Sequence, residues 1–341
     1  MSDFRVVLVG AGGMGRVWGG NLRDCPDTEI VAWVDLNEEA VDKAMDEAGV
    51  TGVLATDDLD KAIAETKPDF VVDVTIPAAH HAVTLKALGA GLPVLGEKPM
   101  AESMQQAREM VAASEKAGKL YMVSQNRRYK AQIRAYKKLI QDNIGALGIL
   151  NSDFYIGAHF GGFRDQMDHP LILDMAIHTF DQARFISGAD PVAVYCDEFN
   201  PSWSWYKGDV CATALFEMSE GLRYTYRGSW CAEGRHTSWE SDWRAVGTHG
   251  SATWNGGEEI LAEVAVENKG FHSTFETRTE APDADMQENI AGSLRGFLHA
   301  LRTGETPLGE CHDNIKSLAM VFGCVESSAN QQRILISDLL R

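Results

Sequence analysis

An aspartate and a histidine stand four residues apart in one apolar stretch and could together move a proton. Asp174 and His178 lie within Pro170–Asp181, whose spacing and composition predict a helix. Residues at i and i+4 share one helix face, and Asp181, three residues further on, would share it too. A histidine beside a carboxylate is suited to accept the hydroxyl proton when a secondary alcohol is oxidised. The alternative is an ion pair on the surface or a satisfied polar pair in the core.

A lysine stands where a predicted strand ends. The strand Pro93–Gly96 runs into Glu97, Lys98 and Pro99. A lysine at the carboxyl end of a parallel strand can bind a substrate hydroxyl and favour its alkoxide electrostatically. Pro99 restricts the residue before it to extended geometry. Lysines are most often solvated surface groups, so the position in the strand order is what singles out Lys98.

Three glycines near the N-terminus have the spacing of a dinucleotide-binding loop. Gly10, Gly12 and Gly15 follow the apolar strand Val6–Val9 in the pattern G-x-G-x-x-G. In that motif the first glycine permits a tight turn, the second admits a pyrophosphate, and the third lets the helix pack on the strand. A phosphate at the helix N-terminus meets unpaired N–H groups. Glycine turns between strand and helix also occur for purely structural reasons.

An aspartate after the second strand favours NAD over NADP. Asp35 follows the strand Glu29–Val34, twenty residues past Gly15. A carboxylate there can accept hydrogen bonds from the adenosine ribose and would repel the additional phosphate of NADP. The next four residues include no arginine or lysine that could bind that phosphate. The alternative is that Asp35 caps the following helix.

Strands and helices alternate through the first 125 residues, which predicts a doubly wound parallel sheet of six strands. Ile76, Pro77 and Ala78 form a breaker before a helix that opens at His80 or His81, and this loop fits against a nicotinamide ribose. The alternative is a capped loop with two surface histidines. That helix ends at Ala90, and the remaining predicted elements are strands at 52–54, 70–75 and 120–124 and helices at 38–47, 58–66 and 103–117.

The remainder of the chain predicts a second, mostly antiparallel sheet. We place the domain boundary at residue 125, giving a dinucleotide-binding domain 1–125 and an α+β domain 126–341. Short alternating runs read as strands at 148–156, 192–195, 212–216 and 223–228, and helices are predicted at 288–301 and 311–331. The acidic segment 275–286 reads as an exposed loop. Six of the eight tryptophans lie in this half, and we expect most in the core or at a subunit interface, with one or two lining a pocket.

Composition excludes several classes of protein. A net charge of −18 over 341 residues opposes binding to nucleic acid or to an anionic membrane. The six cysteines show no zinc-ligand spacing, so we expect reduced thiols and no metal site. We expect no leader segment, because the first predicted strand begins close to Met1, and no transmembrane helix, because no apolar run is long enough. These features predict a cytoplasmic protein.

Five motifs together resemble the glucose-fructose oxidoreductase and inositol dehydrogenase (Gfo/Idh/MocA) family. They are Gly10–Gly15, Asp35, Thr75-Ile76-Pro77 with His80, Gly96–Pro99, and Gln125–Tyr129. The similarity spans at least residues 5 to 190. It implies an N-terminal Rossmann domain for NAD(P), a C-terminal α+β domain with a large, mostly antiparallel sheet, and oxidation or reduction of sugars and cyclitols.

The resemblance also implies roles for individual residues. It implies that His178 is the catalytic acid/base. Asp174 would orient the substrate or tune the pKa of His178, and Lys98 would bind substrate and belong to a proton relay. The predicted cofactor-binding residues are Gly10, Gly12, Gly13, Met14, Gly15, Asp35, Thr75, Ile76, Pro77, His80, Glu97 and Lys98. The predicted substrate-binding residues are Lys98, Asn126, Arg127, His169, Asp174 and His178.

The chain departs from the family pattern just before the predicted catalytic helix. Asp168, His169 and Pro170 stand where family members often carry glycines, so we expect a bulkier pocket wall there. His169 either contacts substrate or has a structural role at the start of the helix.

The leading hypothesis is therefore an NAD-dependent oxidoreductase that interconverts a secondary hydroxyl and a ketone or lactone on a small sugar or cyclitol. One alternative is a lyase or glycoside-cleaving enzyme that retains NAD and acts by transient oxidation. Another is a non-catalytic sensor that binds NAD. The family resemblance further implies a homo-oligomer, either a dimer or a tetramer.

Overall fold

The structure is a computed structural model that describes residues 2–267 and 271–341. It contains two compact units. The first comprises Met1–Asn126 and Gln287–Ile315, and the second comprises Arg127–Met286 and Lys316–Arg341. The segment 287–315, which the sequence analysis placed in the second domain, thus belongs to the first unit.

The first unit is built on a parallel sheet with strand order β3-β2-β1-β4-β5-β6. Its central strands are buried apolar runs, because helices cover both faces of such a sheet. The reversal of strand order between β1 and β4 is the point where doubly wound sheets bind their ligands. The strands are β1 (Phe4–Val9), β2 (Thr28–Val34), β3 (Leu54–Thr56), β4 (Phe70–Asp73), β5 (Val94–Gly96) and β6 (Tyr121–Val123).

Side chains define the starts of several helices in this unit. Asn37, Asp58 and Ser103 each accept hydrogen bonds from backbone N–H groups of the first turn that follows. Phe70 of β4 packs against Phe297, with ring centroids 5.0 Å apart, so segment 287–315 contributes to this core. The helices are α1 (Gly13–Asp24), α2 (Glu38–Ala48), α3 (Leu59–Thr66), α4 (Pro77–Gly89), α5 (Met104–Ala117) and α8 (Asn289–Thr303).

Three predicted boundaries in this unit were wrong. Strand β3 lies two residues later than expected, because Gly52 has a φ of 76° and cannot be part of a strand. Strand β4 ends at Asp73, whose side chain accepts hydrogen bonds from the backbone N–H and hydroxyl of Thr75. Helix α4 begins at Pro77 because proline suits the first helical position.

In the described residues, the second unit contains a nine-stranded sheet of order β14-β13-β12-β11-β7-β10-β9-β8-β15. Strands β7 and β10 pair in parallel and the other neighbours are antiparallel. The predicted fold class is confirmed. The strands are β7 (Leu147–Tyr155), β8 (Pro191–Phe199), β9 (Cys211–Met218), β10 (Arg223–Ser229), β11 (Asp242–Gly247), β12 (Gly250–Trp254), β13 (Ile260–Glu267), β14 (Thr274–Thr279) and β15 (Ile334–Leu335).

Helices cover one face of this sheet. Helix α6 contacts β12 and β13, and Phe180 of α7 packs edge-on against Phe216 and Tyr226. Trp230, Trp243 and Trp254 are buried as expected for core tryptophans, whereas Trp203 and Trp239 are exposed and Trp205 is partly exposed. The helices are α6 (Ala131–Asn143), α7 (Ile177–Ser187), α9 (Cys311–Asn330), whose residues up to Ile315 belong to the first unit, and α10 (Ile336–Leu340).

The predicted exposed loop at 275–286 was partly wrong. Its first residues belong to β14, which among the described strands pairs only with β13 and is exposed along its whole length. A polar edge strand and a loop have similar compositions, which explains the error. Among the described residues, every helix is too short or too polar to cross a lipid bilayer.

Candidate active site

The glycine loop between β1 and α1 has two positions where a side chain cannot fit. Gly10 has a φ of 108°, and a Cβ there would lie 2.7 Å from the Val74 carbonyl oxygen. A Cβ on Gly15 would lie 2.2 Å from the Gly10 carbonyl oxygen. The first glycine therefore makes the turn and the third allows α1 to pack against it, as the motif requires.

Gly12 differs from these two glycines. Its φ of −71° suits any residue, and an added Cβ would meet no described atom within 4 Å. Protein packing therefore does not require a glycine here. Gly12 is also the N-cap of α1 and makes no side-chain cap. The open space at an uncapped helix N-terminus fits the pyrophosphate of a dinucleotide.

Asp35 is held in place by the backbone on both of its oxygens. Oδ2 accepts a hydrogen bond from Ala11 N at 2.7 Å, and Oδ1 accepts one from Asn37 N at 3.0 Å. The alternative that Asp35 caps α2 is wrong, because Asn37 provides that cap. Ala11 lies within the glycine loop, so the carboxylate and the loop form one local structure.

Exposed apolar side chains follow three strand ends of the first sheet. Leu36 is 93% exposed and Ile76 is 70% exposed, and Met14 beside the glycine loop is exposed as well. Their exposure carries a hydration cost that a bound adenine or nicotinamide nucleoside would relieve. Together with the space at Gly12 and the oriented Asp35 carboxylate, they fit a bound dinucleotide.

A buried carboxylate that the sequence analysis missed organises the end of β4. Asp73 is fully buried, and its Oδ1 accepts a hydrogen bond from the Thr75 hydroxyl at 2.7 Å. Its Oδ2 lies 3.1 Å from Nδ1 of His80, which is also buried. The alternative of a surface histidine is therefore wrong for His80, whereas His81 forms a partly exposed ion pair with Glu109. The sequence signal that could have identified Asp73 is a carboxylate at the end of an apolar strand.

The residue before Lys98 is a second buried carboxylate. Oε1 of Glu97 accepts a hydrogen bond from Trp18 Nε1 at 2.7 Å, and Oε2 accepts one from Lys98 N at 3.1 Å. Burial raises the pKa of Glu97, and the bond from Trp18 opposes that increase. Glu97 thus fixes the backbone at Lys98, and the Lys98–Pro99 peptide bond is cis.

In the second unit, Asp174 and His178 lie on a helix that changes type between them. The turn Leu171–Ala176 is π-helical and is followed by α7. Four residues make roughly one turn in either geometry, so the two residues keep a common side. His178 is buried, and Arg164 Nε donates a hydrogen bond to Asp174 Oδ2 at 2.6 Å. Arg164 was not predicted, because nothing in the sequence links it to Asp174.

Arg127, predicted to bind substrate, is held by protein groups. Its guanidinium donates hydrogen bonds to the Trp239 carbonyl oxygen and to Met175 Sδ, and it lies 3.7 Å from a Glu240 oxygen. Burial lowers its pKa, and the charges of Glu240 and Asp174 oppose this. These contacts favour a positioning role beside Asp174. Asn126, also predicted to bind substrate, begins a short 3-10 turn at the end of the first unit.

Asp181 has a structural role. Its two oxygens accept hydrogen bonds from the Arg128 guanidinium at 2.5 and 2.6 Å, and Ser317 Oγ donates another at 2.7 Å. Arg128 and Asp181 are both buried. These bonds stabilise the position of α7, which carries His178.

His169 lies at the start of the π-helical turn, paired with a buried glutamate. Its Nδ1 is 3.1 Å from Glu198 Oε2, and its carbonyl oxygen accepts a hydrogen bond from Leu173 N. The bond to Glu198 raises the pKa of His169, and burial raises the pKa of Glu198. The predicted structural role is present, and the side chain remains partly exposed.

Among the described residues, Glu310, Cys311 and His312 bring three potential metal ligands within 4.8 Å of one another. These groups bond to each other, since His312 Nδ1 lies 2.7 Å and Cys311 Sγ lies 3.0 Å from the same Glu310 oxygen. Burial raises the pKa of the Cys311 thiol.

Two family models match the chain. The first, the NAD-binding Rossmann fold of the GFO/IDH/MocA oxidoreductase family, matches residues 4–125. The second, the C-terminal domain of the same family, matches residues 133–253.

Individual relatives agree with these matches. A D-apiose dehydrogenase from Paraburkholderia graminis is 26% identical over 98% of this chain and 90% of its own. An inositol 2-dehydrogenase from an Arthrobacter species is 32% identical over 56% of each chain. The crystal structure of an oxidoreductase from Agrobacterium radiobacter with NAD+, L-tartaric acid and magnesium has a TM-score of 0.86 at 23% identity, and the likeness covers 99% of this chain and 100% of that one.

Proposed function

Because the chain belongs to the GFO/IDH/MocA family of NAD-binding oxidoreductases, we propose that it interconverts a secondary hydroxyl and a ketone or lactone on a sugar or cyclitol. Relatives named as apiose and inositol dehydrogenases support this class of substrate. The single observation that carries the proposal is the Asp174–His178 pair on one side of a helix, with the carboxylate oriented by Arg164.

We propose NAD rather than NADP as the cofactor. The glycine loop, Asp35, Thr75, Ile76, Pro77, His80 and Glu97 would hold it. Asp35 supports this choice, because the backbone bonds from Ala11 and Asn37 orient its carboxylate. A carboxylate there binds ribose hydroxyls and repels a 2′-phosphate.

When bound, the nicotinamide supplies the hydride acceptor or donor. In the oxidation direction, His178 accepts the proton of the substrate hydroxyl. Asp174 orients that hydroxyl and stabilises the charge that develops on the imidazole. Lys98 donates a hydrogen bond to the same oxygen and favours its alkoxide form. Arg164 and Arg127 hold the carboxylate and the helix turn that carry this chemistry.

The test is a spectroscopic assay over a panel of aldoses, polyols and inositols. We expect the absorbance of reduced nicotinamide to increase with at least one of them and NAD. An enzyme that binds NAD but oxidises none of the panel would contradict the proposal. Product formed without net change in the redox state of the cofactor would indicate a lyase instead.

A substitution of Asp35 tests the cofactor preference. Asp35→Ser removes the charge and keeps a hydrogen-bonding group. We expect the ratio of kcat/KM for NAD to that for NADP to fall at least tenfold. Asp42→Ser provides a control, because Asp42 is an exposed carboxylate within α2 rather than at a strand end. An unchanged ratio in the Asp35 variant would show that another residue selects the cofactor.

We also propose that the protein is a homo-oligomer, a dimer or a tetramer. One face of the second sheet exposes Ile149 on β7, Tyr195 on β8 and Leu215 on β9, and Tyr195 pairs directly with Leu215. An exposed apolar patch on a sheet is typical of an interface. Light scattering after size exclusion measures the state, and a monomer at micromolar concentration would contradict this.

A further inference from the structure

Three exposed aromatic rings in the second unit lie in one cluster. Phe160 is 43%, Phe163 67% and Trp239 46% exposed. Phe160 packs edge-on against the buried Trp230 at 5.0 Å and lies 6.2 Å from Trp239. Trp239 in turn lies 6.0 Å from Phe154, which is buried. Two of the rings therefore rest on the core with one side and remain accessible on the other.

An arginine joins this aromatic cluster to the proposed catalytic carboxylate. The Arg164 guanidinium lies 5.0 Å from the ring centroid of Phe160 and 4.7 Å from that of Phe163. The same side chain donates the 2.6 Å hydrogen bond from Nε to Asp174 Oδ2. Cation–π contacts with both rings hold the guanidinium in the orientation that this bond needs. Arg164 therefore contacts both the exposed rings and the Asp174 carboxylate.

A second arginine makes a similar connection. Arg127 donates hydrogen bonds to the Trp239 carbonyl oxygen and to Sδ of Met175, the neighbour of Asp174. The cluster is thus attached at two points to the same helix turn. Gly161 and Gly162 both have positive φ, and they provide the tight turn that places Phe160 and Phe163 around Arg164.

The chemistry of the cluster identifies what it binds. Large exposed apolar side chains beside a polar site mark a binding surface. The C–H faces of sugar rings stack on aromatic faces, while their hydroxyl groups hydrogen-bond to arginine. The net charge of −18 disfavours anionic ligands such as nucleic acids.

We propose that Phe160, Phe163 and Trp239 form a subsite for a second sugar ring, so that the preferred substrate is a disaccharide rather than a monosaccharide. This inference rests on the proposed function, because the subsite adjoins the carboxylate assigned to catalysis. The first ring presents its hydroxyl to His178 and Asp174, and the second ring stacks on the aromatic cluster.

The test compares three matched compounds for each sugar that reacts: the free sugar, its methyl glycoside and a disaccharide of the same unit. We expect kcat/KM for the disaccharide to exceed that for the methyl glycoside about tenfold. Phe163→Ala and Trp239→Ala should each remove most of this advantage, a loss of roughly fivefold to tenfold. The readout is the ratio of kcat/KM for the disaccharide to that for the methyl glycoside, because Phe163→Ala also removes a cation–π contact of Arg164 and lowers both values together. Phe271→Ala is the control, because Phe271 is 95% exposed and contacts only His272 among the described rings.

Calorimetric titration of the disaccharide into the NAD-loaded protein separates this inference from the proposed function. Binding that weakens in Phe163→Ala and Trp239→Ala, without turnover of any sugar, would support the subsite and contradict the dehydrogenase. Equal binding by wild type and both variants would overturn the subsite, even if monosaccharides are oxidised. A changed oligomeric state in Phe163→Ala with unchanged sugar binding would show that the cluster joins two copies of this chain, and would also overturn it.

Discussion

The indole Nε1 of Trp18 donates a 2.7 Å hydrogen bond to Oε1 of Glu97, although the two residues are 79 positions apart. Trp18 lies on the helix that begins at the glycine loop, and Glu97 precedes Lys98. Both side chains are buried. The bond therefore links the proposed phosphate-binding helix to the backbone that carries the proposed substrate lysine.

Trp18→Phe should lower the free energy of unfolding by about 1–3 kcal/mol, because a buried carboxylate loses a hydrogen-bond donor. The variant should also increase the pKa of Glu97 further, since the bond from Trp18 lowers it. Urea denaturation followed by circular dichroism measures the first effect. Trp203→Phe is the control, because Trp203 is exposed and should change the stability by less than about 0.5 kcal/mol. A loss no larger than in the control would show that the bond contributes little.

Gly12 and Gly15 allow binding and folding to be tested separately. Gly12→Ala should fold normally, because its backbone is ordinary and the space beside it is open. Its methyl group should occupy the space proposed for the pyrophosphate and increase the Kd for NAD at least tenfold. Gly15→Ala should instead destabilise the fold by about 1–3 kcal/mol or more, because its Cβ meets the Gly10 carbonyl oxygen. NAD titration and thermal unfolding of both variants provide the measurements. Unchanged NAD affinity in Gly12→Ala would place the phosphates elsewhere.

The sequence predicted those parts of the molecule that local patterns encode. The glycine spacing, the apolar strands and the position of Asp35 gave the parallel sheet and its ligand-binding edge, and alternating runs gave the second sheet. The predicted boundaries were wrong where a single side chain determines the end of an element, as Asp73 does at the end of β4. The residues of the π-helical turn Leu171–Ala176 are equally typical of an α-helix, so the sequence pattern could not distinguish the two.

The contacts that position the candidate site could not be predicted. Glu97 reads as a solvated charge in sequence, and only the packing of α1 shows that it is buried against Trp18. Arg164 lies ten residues before Asp174, in a segment without periodicity, and only the turn at Gly161 and Gly162 brings it near. Pairings of this kind depend on the tertiary structure, which no local pattern contains.

Replacing His178 should separate catalysis from cofactor binding. His178→Asn should reduce kcat by roughly 10²–10⁴-fold, because the substrate hydroxyl loses its base. Asp174→Asn should also reduce kcat, and both variants should keep the wild-type Kd for NAD, because the proposed cofactor residues lie in the first unit. Steady-state kinetics and NAD titration measure these effects. His312→Gln is a matched control, because His312 is half-exposed and lies outside the proposed site. Activity within threefold of wild type in His178→Asn would remove this residue from the mechanism.

The pair formed by His169 and Glu198 predicts how stability depends on pH. The folded state raises the pKa of His169 above 6.5 through the bond to Glu198, and it raises the pKa of Glu198 above 4.5 through burial. Both groups therefore bind protons more tightly when folded, so their contribution to stability is complete at low pH and is lost as pH rises through each folded pKa.

Glu198→Gln removes both effects. The stability of wild type relative to this variant should then be greater at pH 5 than at pH 8.5, by up to about 1 kcal/mol for a partly exposed pair. Urea denaturation at the two pH values measures this difference, and NMR titration should show a lower pKa for His169 in the variant. Glu233→Gln, which breaks the exposed pair with His159, should show no such pH dependence. A constant difference between wild type and Glu198→Gln across this range would mean that the pair does not titrate with folding.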